Sequence, residues 1–291
     1  MLLERRSENR LVGVHAPTAG GLARKALWYV DRTGAECLQV FVSNPRGWSV
    51  SPGDPAQDEA FVAGCAERGT PVYVHATLLI NLGSPTAATV EQSVRNLEHA
   101  LRRGAAIGAT GVVFHAGSAV QPDYHPAALR QVGAVLRPLL DTAAESGWPK
   151  LLVEPSAGGG RSIVATVEAL GPYLDAVAGH PWLRVCLDTC HAYAAGHDLA
   201  KPGGMTATLD TLVTVAGADR LALVHANDSK DDVGSTRDRH VNVGAGQIGL
   251  EGFGELMRHP ATAGVPVIVE TPTKSDGAGH AADVAVLKQL R

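Results

Sequence analysis

Short apolar runs, each closed by a distinctive residue, recur along the whole chain. In order they are LVGVH (11–15), CLQVF (37–41), PVYVH (71–75), GVVFH (111–115), LLVE (151–154), RVCLD (184–188), LALVH (221–225) and VIVE (267–270). The runs are continuously apolar rather than alternating, the pattern of strands buried on both faces of a parallel sheet. Segments of helical length separate them. Residues 86–109 and 126–147 carry apolar residues near every third or fourth position, and 161–178 and 205–217 read similarly. Eight strands alternating with helices predict an α/β fold: a single (β/α)8 TIM barrel over residues 1–291, with 1–10 as a peripheral N-terminal extension. A doubly wound open sheet is the alternative.

Seven of the eight runs end in His, Asp or Glu, the exception being Phe41. In a barrel of this class the C-terminal strand ends form one rim, where active sites lie. His75, His115, Glu154, Asp188, His225 and Glu270 would then converge on one bowl. A single such residue reads as a helix cap or a loop hydrogen bond. Six at corresponding strand ends read as a site.

Two local spacings extend the set. Asp188-Thr189-Cys190-His191 puts a carboxylate and an imidazole three residues apart at a strand exit. Asp238-Arg239-His240 places two ligand types at i and i+2, which in extended chain point the same way. The nine candidates, five histidines and four carboxylates, favour zinc or manganese over magnesium. Nine exceed what one tetrahedral ion takes, so a cluster of two or three ions is expected. His15 ends the first run and reads as a packing or hydrogen-bonding residue, with a tenth ligand as the alternative. His99, His125, His180, His197, His259 and His280 read as surface residues.

Composition narrows the rest. Forty-five per cent hydrophobic residues suffice for a sizeable core, and 33 glycines with 17 prolines fit many turns. No run approaches the roughly 18 apolar residues of a membrane span. The opening MLLERRSENR has no apolar centre of the signal-peptide kind, so the chain is expected to be cytoplasmic. Cys37, Cys65, Cys186 and Cys190 read as free thiols, since a chain this long needs no disulfide framework. The glycines of SAGGG (156–160) lack the lysine and spacing of a phosphate loop and read as a turn. A net charge of −4 argues against a nucleic-acid partner unless the protein carries metal ions that the formal count omits.

Three longer stretches carry a family resemblance: VCLDTCHAYAAGHDL (185–199), HANDSKDDVGSTRDRHVNVGAGQIG (225–249) and VEPSAG (153–158). QVFVSNPRGW (39–48), HATLLINLGSP (75–85), VVFHAGS (112–118) and VIVETP (267–272) support them. On these the chain resembles the endonuclease IV family, the zinc-dependent apurinic/apyrimidinic (AP) endonucleases. The resemblance implies a TIM barrel and three zinc ions per chain. His75, His115 and Glu154 match the set for one ion. Asp188, His225 and Glu270, sharing Glu154 as a bridge, match the second, and His191, Asp238 and His240 the third.

The implied reaction is hydrolysis of the phosphodiester 5′ to an abasic site in double-stranded DNA, leaving a 3′-hydroxyl, together with trimming of blocked 3′ ends. Zinc lowers the pKa of a bound water to roughly 7. Glu154 and Glu270 are the expected catalytic carboxylates, one bridging and one orienting the attacking water. Three zinc ions add 6 to the formal −4 and give about +2, which removes the charge objection. Arg46, Lys230, Arg237 and Arg239 are the expected contacts to the DNA backbone. Leu78 stands where the family usually has a DNA-recognition tyrosine, and can wedge between bases as apolar side chains do at kinked steps. The expected working unit is a monomer.

A metal-dependent sugar isomerase or epimerase on a xylose-isomerase-like barrel is the alternative. Such sites usually hold one or two ions, so the third set is the discriminating feature. A DNA-damage binder without catalysis is a further alternative, against which the complete ligand set argues.

Overall fold

The computed structural model describes residues 9–291. Most of the extension expected at 1–10 therefore lies outside the described residues. Its last residue, Arg10, is tied to the body, its guanidinium donating to Thr262 Oγ1 (2.9 Å) and to the His259 carbonyl (2.8 Å).

The apolar runs form strands β1 (Val12–His15), β2 (Leu38–Phe41), β3 (Val72–His75), β4 (Gly111–His115), β5 (Lys150–Glu154), β6 (Leu183–Asp188) and β7 (Leu221–His225). After β7 comes a short antiparallel ribbon, β8 (Asp228–Ser229) with β9 (His240–Val241), and then β10 (Val267–Val269). The eight longer strands are parallel and close into a barrel in the order β1-β10-β7-β6-β5-β4-β3-β2. The closed barrel, not the open sheet, is the fold.

Burial on both faces explains the unbroken apolar runs. Val12, Val14, Val40, Val74, Phe114 and Val153 pack outward with the helices in one large core. Cys37, Tyr73, Val113, Leu152, Cys186, Leu223 and Ile268 form a separate apolar plug inside the barrel. Because side chains alternate along a strand, the residue two positions after each plug residue also faces inward, one layer higher. Those residues are Gln39, His75, His115, Glu154, Asp188, His225 and Glu270. Beside β2, the first strand contributes Gly13 and His15. A Cβ on Gly13 would sit 1.9 Å from the Cys37 carbonyl oxygen, so only glycine allows this approach of β1 to β2. The barrel thus has an apolar floor and a ring of ionisable groups above it.

Two amphipathic segments become the long helices Ala87–Ala106 and His125–Glu145, and 205–217 becomes Gly204–Ala216. The segment 161–178 is helical only from Leu170 to Ala176. Its first part spends its backbone groups across the rim instead. Ala119 N–H donates to Arg161 O (3.0 Å), Ile163 N–H donates to Gly117 O (2.9 Å), and Ser162 bridges to Ser118. Among the described residues no helix is long and apolar enough to cross a membrane. All four cysteines are free and buried.

The surface expectation fails at two histidines. His280 is buried because both ring nitrogens find partners inside, Tyr29 Oη at 3.0 Å and the Thr271 carbonyl at 2.7 Å. His259 is buried as the cap of a short 3-10 turn, accepting from Ala261 N–H (3.2 Å).

Candidate metal centre

The ring of inward side chains is built around Glu154, which is 1% exposed at the end of β5. One carboxylate oxygen, Oε2, lies 3.3 Å from His75 Nε2 and 3.5 Å from His115 Nε2. The other, Oε1, lies 3.0 Å from His225 Nδ1 and 3.3 Å from His191 Nδ1. One carboxylate therefore faces four imidazoles. His225 Nδ1 also lies 3.3 Å from Glu270 Oε2 and 3.9 Å from Asp188 Oδ2.

Asp238 and His240 close the third side. His191 Nε2 is 3.3 Å from Asp238 Oδ2, and His240 Nε2 is 2.9 Å from Asp238 Oδ1 and 3.6 Å from Asp188 Oδ2. Arg239, between them, turns away and pairs with Asp231, as the i, i+2 spacing predicts. All nine sequence-derived candidates thus meet in one bowl. Ligand-type atoms of His75, His115 and Glu154 lie within 4.8 Å of one another, as do those of His191, Asp238 and His240.

Whether these residues fit metal ions can be tested on their hydrogen bonds. His75 Nδ1 is 2.7 Å from the Ala76 carbonyl and must donate to it, so Nε2 carries the lone pair. That lone pair points at Glu154 Oε2, a buried oxygen that accepts no hydrogen bond. Two acceptors facing each other in a buried site repel unless a cation lies between them. His191 shares the outer support, with Nδ1 on the Pro155 carbonyl (3.0 Å) and Nε2 toward Asp238. Backbone carbonyls that fix imidazole tautomers in this way are the usual outer support of metal-ligating histidines. The donor set fits zinc.

The electrostatics agree. Burial opposes charge on Glu154, yet His225, His191 and His75 hold its pKa well below the usual carboxylate range. Burial likewise opposes charge on His191, but Asp188, Asp238 and Glu154 raise its pKa well above the histidine value. His240 is pushed up to about 9, against burial, chiefly by Asp188 and Asp238. His115, where burial dominates, drops to about 4. Metal binding to such a ring must displace protons, so affinity rises with pH. Burial pushes the Cys186 and Cys190 thiols up to about 12, and neither offers a thiolate at neutral pH.

Sequence reasoning missed three polar residues here, Gln39, Asn227 and Asp228, and gave a fourth, His15, as a packing or hydrogen-bonding residue. His15 Nδ1 is 2.9 Å from Glu270 Oε1, so its hydrogen bond is to the site itself. Gln39, fully buried, reaches Glu270 and His225. Asn227 donates to Asp188 Oδ2 (2.7 Å) and accepts from Glu270 N–H (2.8 Å). Asp228, also fully buried, accepts backbone N–H bonds from Ser229, Gly244, Gly246, Ile248 and Gly249. It pins the 244–249 segment beside the ribbon that carries His240. A Cβ on Gly246 would lie 2.5 Å from Asp228 Oδ1, so glycine is needed there. A signal existed for Gln39, the one polar residue inside the run CLQVF.

Of the expected DNA contacts, Arg46, Lys230, Arg237 and Arg239 are exposed on rim loops. Arg239 forks onto Asp231, and Arg237 lies 3.6 Å from the same carboxylate. Leu78 and Leu79 are 42% and 38% exposed and wall a cavity of about 350 Å³ that reaches His115 and Ser118.

The barrel and its ring place the chain in a class, the xylose isomerase-like TIM barrels, whose family model matches residues 29–290. Within that class the chain belongs to the endonuclease IV family. It is 55% identical over 280 residues to the probable endonuclease 4 of Streptomyces coelicolor, covering 96% of this chain and 95% of that one. The crystal structure of endonuclease IV from Thermus thermophilus superposes with a TM-score of 0.81 at 34% identity, covering 96% and 98% of the two chains. A putative xylose isomerase from Rhodospirillum rubrum gives 0.75 at 17% identity over 97% and 99%, a likeness that shows the fold alone.

Proposed function

We propose that the protein is a DNA-repair enzyme, an AP endonuclease that hydrolyses the phosphodiester 5′ to an abasic site in duplex DNA and leaves a 3′-hydroxyl. Trimming of blocked 3′ ends belongs to the same reading, because the scissile bond there is also a 3′ phosphoester. The observation that carries it is the buried, hydrogen-bond-free Glu154 Oε2 between the Nε2 atoms of His75 and His115. It implies a cation in a bowl whose other walls supply six more ligand-type side chains.

We assign three zinc ions: one to His75, His115 and Glu154, one to Glu154, Asp188, His225 and Glu270, and one to His191, Asp238 and His240. Bound zinc would lower the pKa of a water and neutralise phosphate charge. Glu154 spans two sets because its two oxygens face different histidine pairs. Glu270 is held on Oε1 by His15 and Gln39, which leaves Oε2 free toward the bowl to orient the attacking water. The apolar floor beneath keeps bulk water out. Arg46 and Lys230 contact the DNA backbone from the rim, and Arg237 and Arg239 share their charge with Asp231. Leu78 wedges into the duplex beside the lesion. The working unit is one barrel domain over residues 1–291, monomeric and cytoplasmic. The third set, absent from a one- or two-ion sugar isomerase, favours the nuclease.

The test is incubation of the zinc-loaded protein with a duplex carrying one synthetic abasic site. A single cut 5′ to the lesion with a 3′-hydroxyl end is expected. An intact duplex, with turnover of a ketose or aldose instead, would replace this reading with the isomerase.

A further inference from the structure

Gln39 carries no imidazole, thiol or carboxylate, yet its side chain sits fully buried in the ring, on the strand that ends in Phe41. Its Nε2 lies 2.7 Å from Glu270 Oε1, and its Oε1 lies 3.0 Å from His225 Nε2. Only one orientation of the amide satisfies both: the NH₂ donates to the carboxylate and the carbonyl oxygen accepts from the imidazole. His225 Nε2 must then carry its proton, which leaves the Nδ1 lone pair aimed between Glu154 Oε1, Glu270 Oε2 and Asp188 Oδ2.

A second buried amide completes the frame. Asn227 links Asp188 Oδ2 to the Glu270 backbone, so Asp188, His225 and Glu270 are connected through two carboxamides. Gln39 Nε2 also lies 3.0 Å from His15 Nδ1. Both groups are donors converging on Glu270 Oε1, which fixes that oxygen and turns the other to the bowl. His75 and His191 have only backbone carbonyls for this purpose.

We infer that Gln39 is a positioning residue of the second metal set, fixing the tautomer of His225 and the rotamer of Glu270. The inference rests on the metal-site reading above. No other common residue serves as well. Asparagine is too short to span the two partners. Glutamate would place a second carboxylate against Glu270. An apolar residue leaves the His225 N–H buried and unpaired.

The test compares wild type with Gln39→Met, which keeps length and volume and removes the hydrogen bonds, and with Gln39→Leu as a second variant. Zinc per chain is measured after dialysis against a series of EDTA-buffered zinc concentrations, alongside melting with zinc and in excess EDTA. One zinc is expected to leave the variants at a free zinc level about 10- to 100-fold higher than in wild type. Melting in EDTA should fall somewhat, from the unpaired His225 N–H, and the melting gain on adding zinc should shrink as well. If the variants hold all their zinc as tightly as wild type and melt lower by the same amount with and without it, Gln39 is a core residue only and the inference falls. If wild type itself takes up no zinc, the inference and the metal-site reading fall together.

Discussion

The strand-borne part of the ring and the loop-borne part are built differently. His75, Glu154, Asp188 and His225 sit at the ends of β-strands, at most 3% exposed. They are fixed by the barrel register, which pairs His115 with Glu154 and Asp188 with His225. Asp238 and His240 arrive on a long connection after β7, and the Asp238 side chain is half exposed. What holds them is local: a two-residue ribbon, backbone bonds from Gly234 and Thr236 to Tyr193 and Ala194, and a buried carboxylate, Asp228, gripping five backbone N–H groups. The first part is positioned by the fold as a whole. The second depends on a few local contacts, and so can be lost alone.

Substitutions can break this contrast in order of effect. Glu154→Gln removes the carboxylate shared by the first two metal sets, and cleavage of an abasic duplex should fall by about 1000-fold, or about 4 kcal/mol of transition-state stabilisation. The far-ultraviolet circular dichroism spectrum should not change. Near-normal cleavage at saturating zinc would end the bridging role. Asp228→Ala orphans several buried donors and should cost about 3 kcal/mol in urea unfolding, while lowering metal content by about one ion. A variant that is destabilised but keeps every ion would show that the 240s segment needs no such anchor. The smallest effect is expected at the rim. Leu78→Tyr adds a stacking surface worth about 1 kcal/mol, and binding to an abasic duplex should tighten several-fold in gel shift. Unchanged affinity would place the wedge elsewhere.

The same contrast explains what could be read from the chain. Parallel strands buried on both faces must be apolar until the rim, so a His or Glu ending such a run stands out. That made the barrel and six of the ring residues legible. The i, i+2 spacing of Asp238 and His240 gave the loop pair. Supporting residues were hidden because amides and backbone contacts leave no spacing signature. Asn227 and Asp228 follow His225 closely but look like ordinary turn residues, and Gln39 looks like an interruption of a strand. The helix expected from 161 failed for a related reason. Its apolar positions are helical in period, yet its backbone is committed to Gly117 and Ala119 across the rim. His280 and His259 were misplaced because a histidine with internal partners needs no solvent.

Nine side chains, seven at strand ends or exits and two on the loop, are assigned to three ions, and that assignment is central. Elemental analysis of the purified wild-type protein beside Asp238→Asn tests it most directly. About three zinc per chain, falling to about two in the variant with little change in melting in excess EDTA, is the predicted result. One or two metals in wild type, unchanged by the substitution, would contradict it.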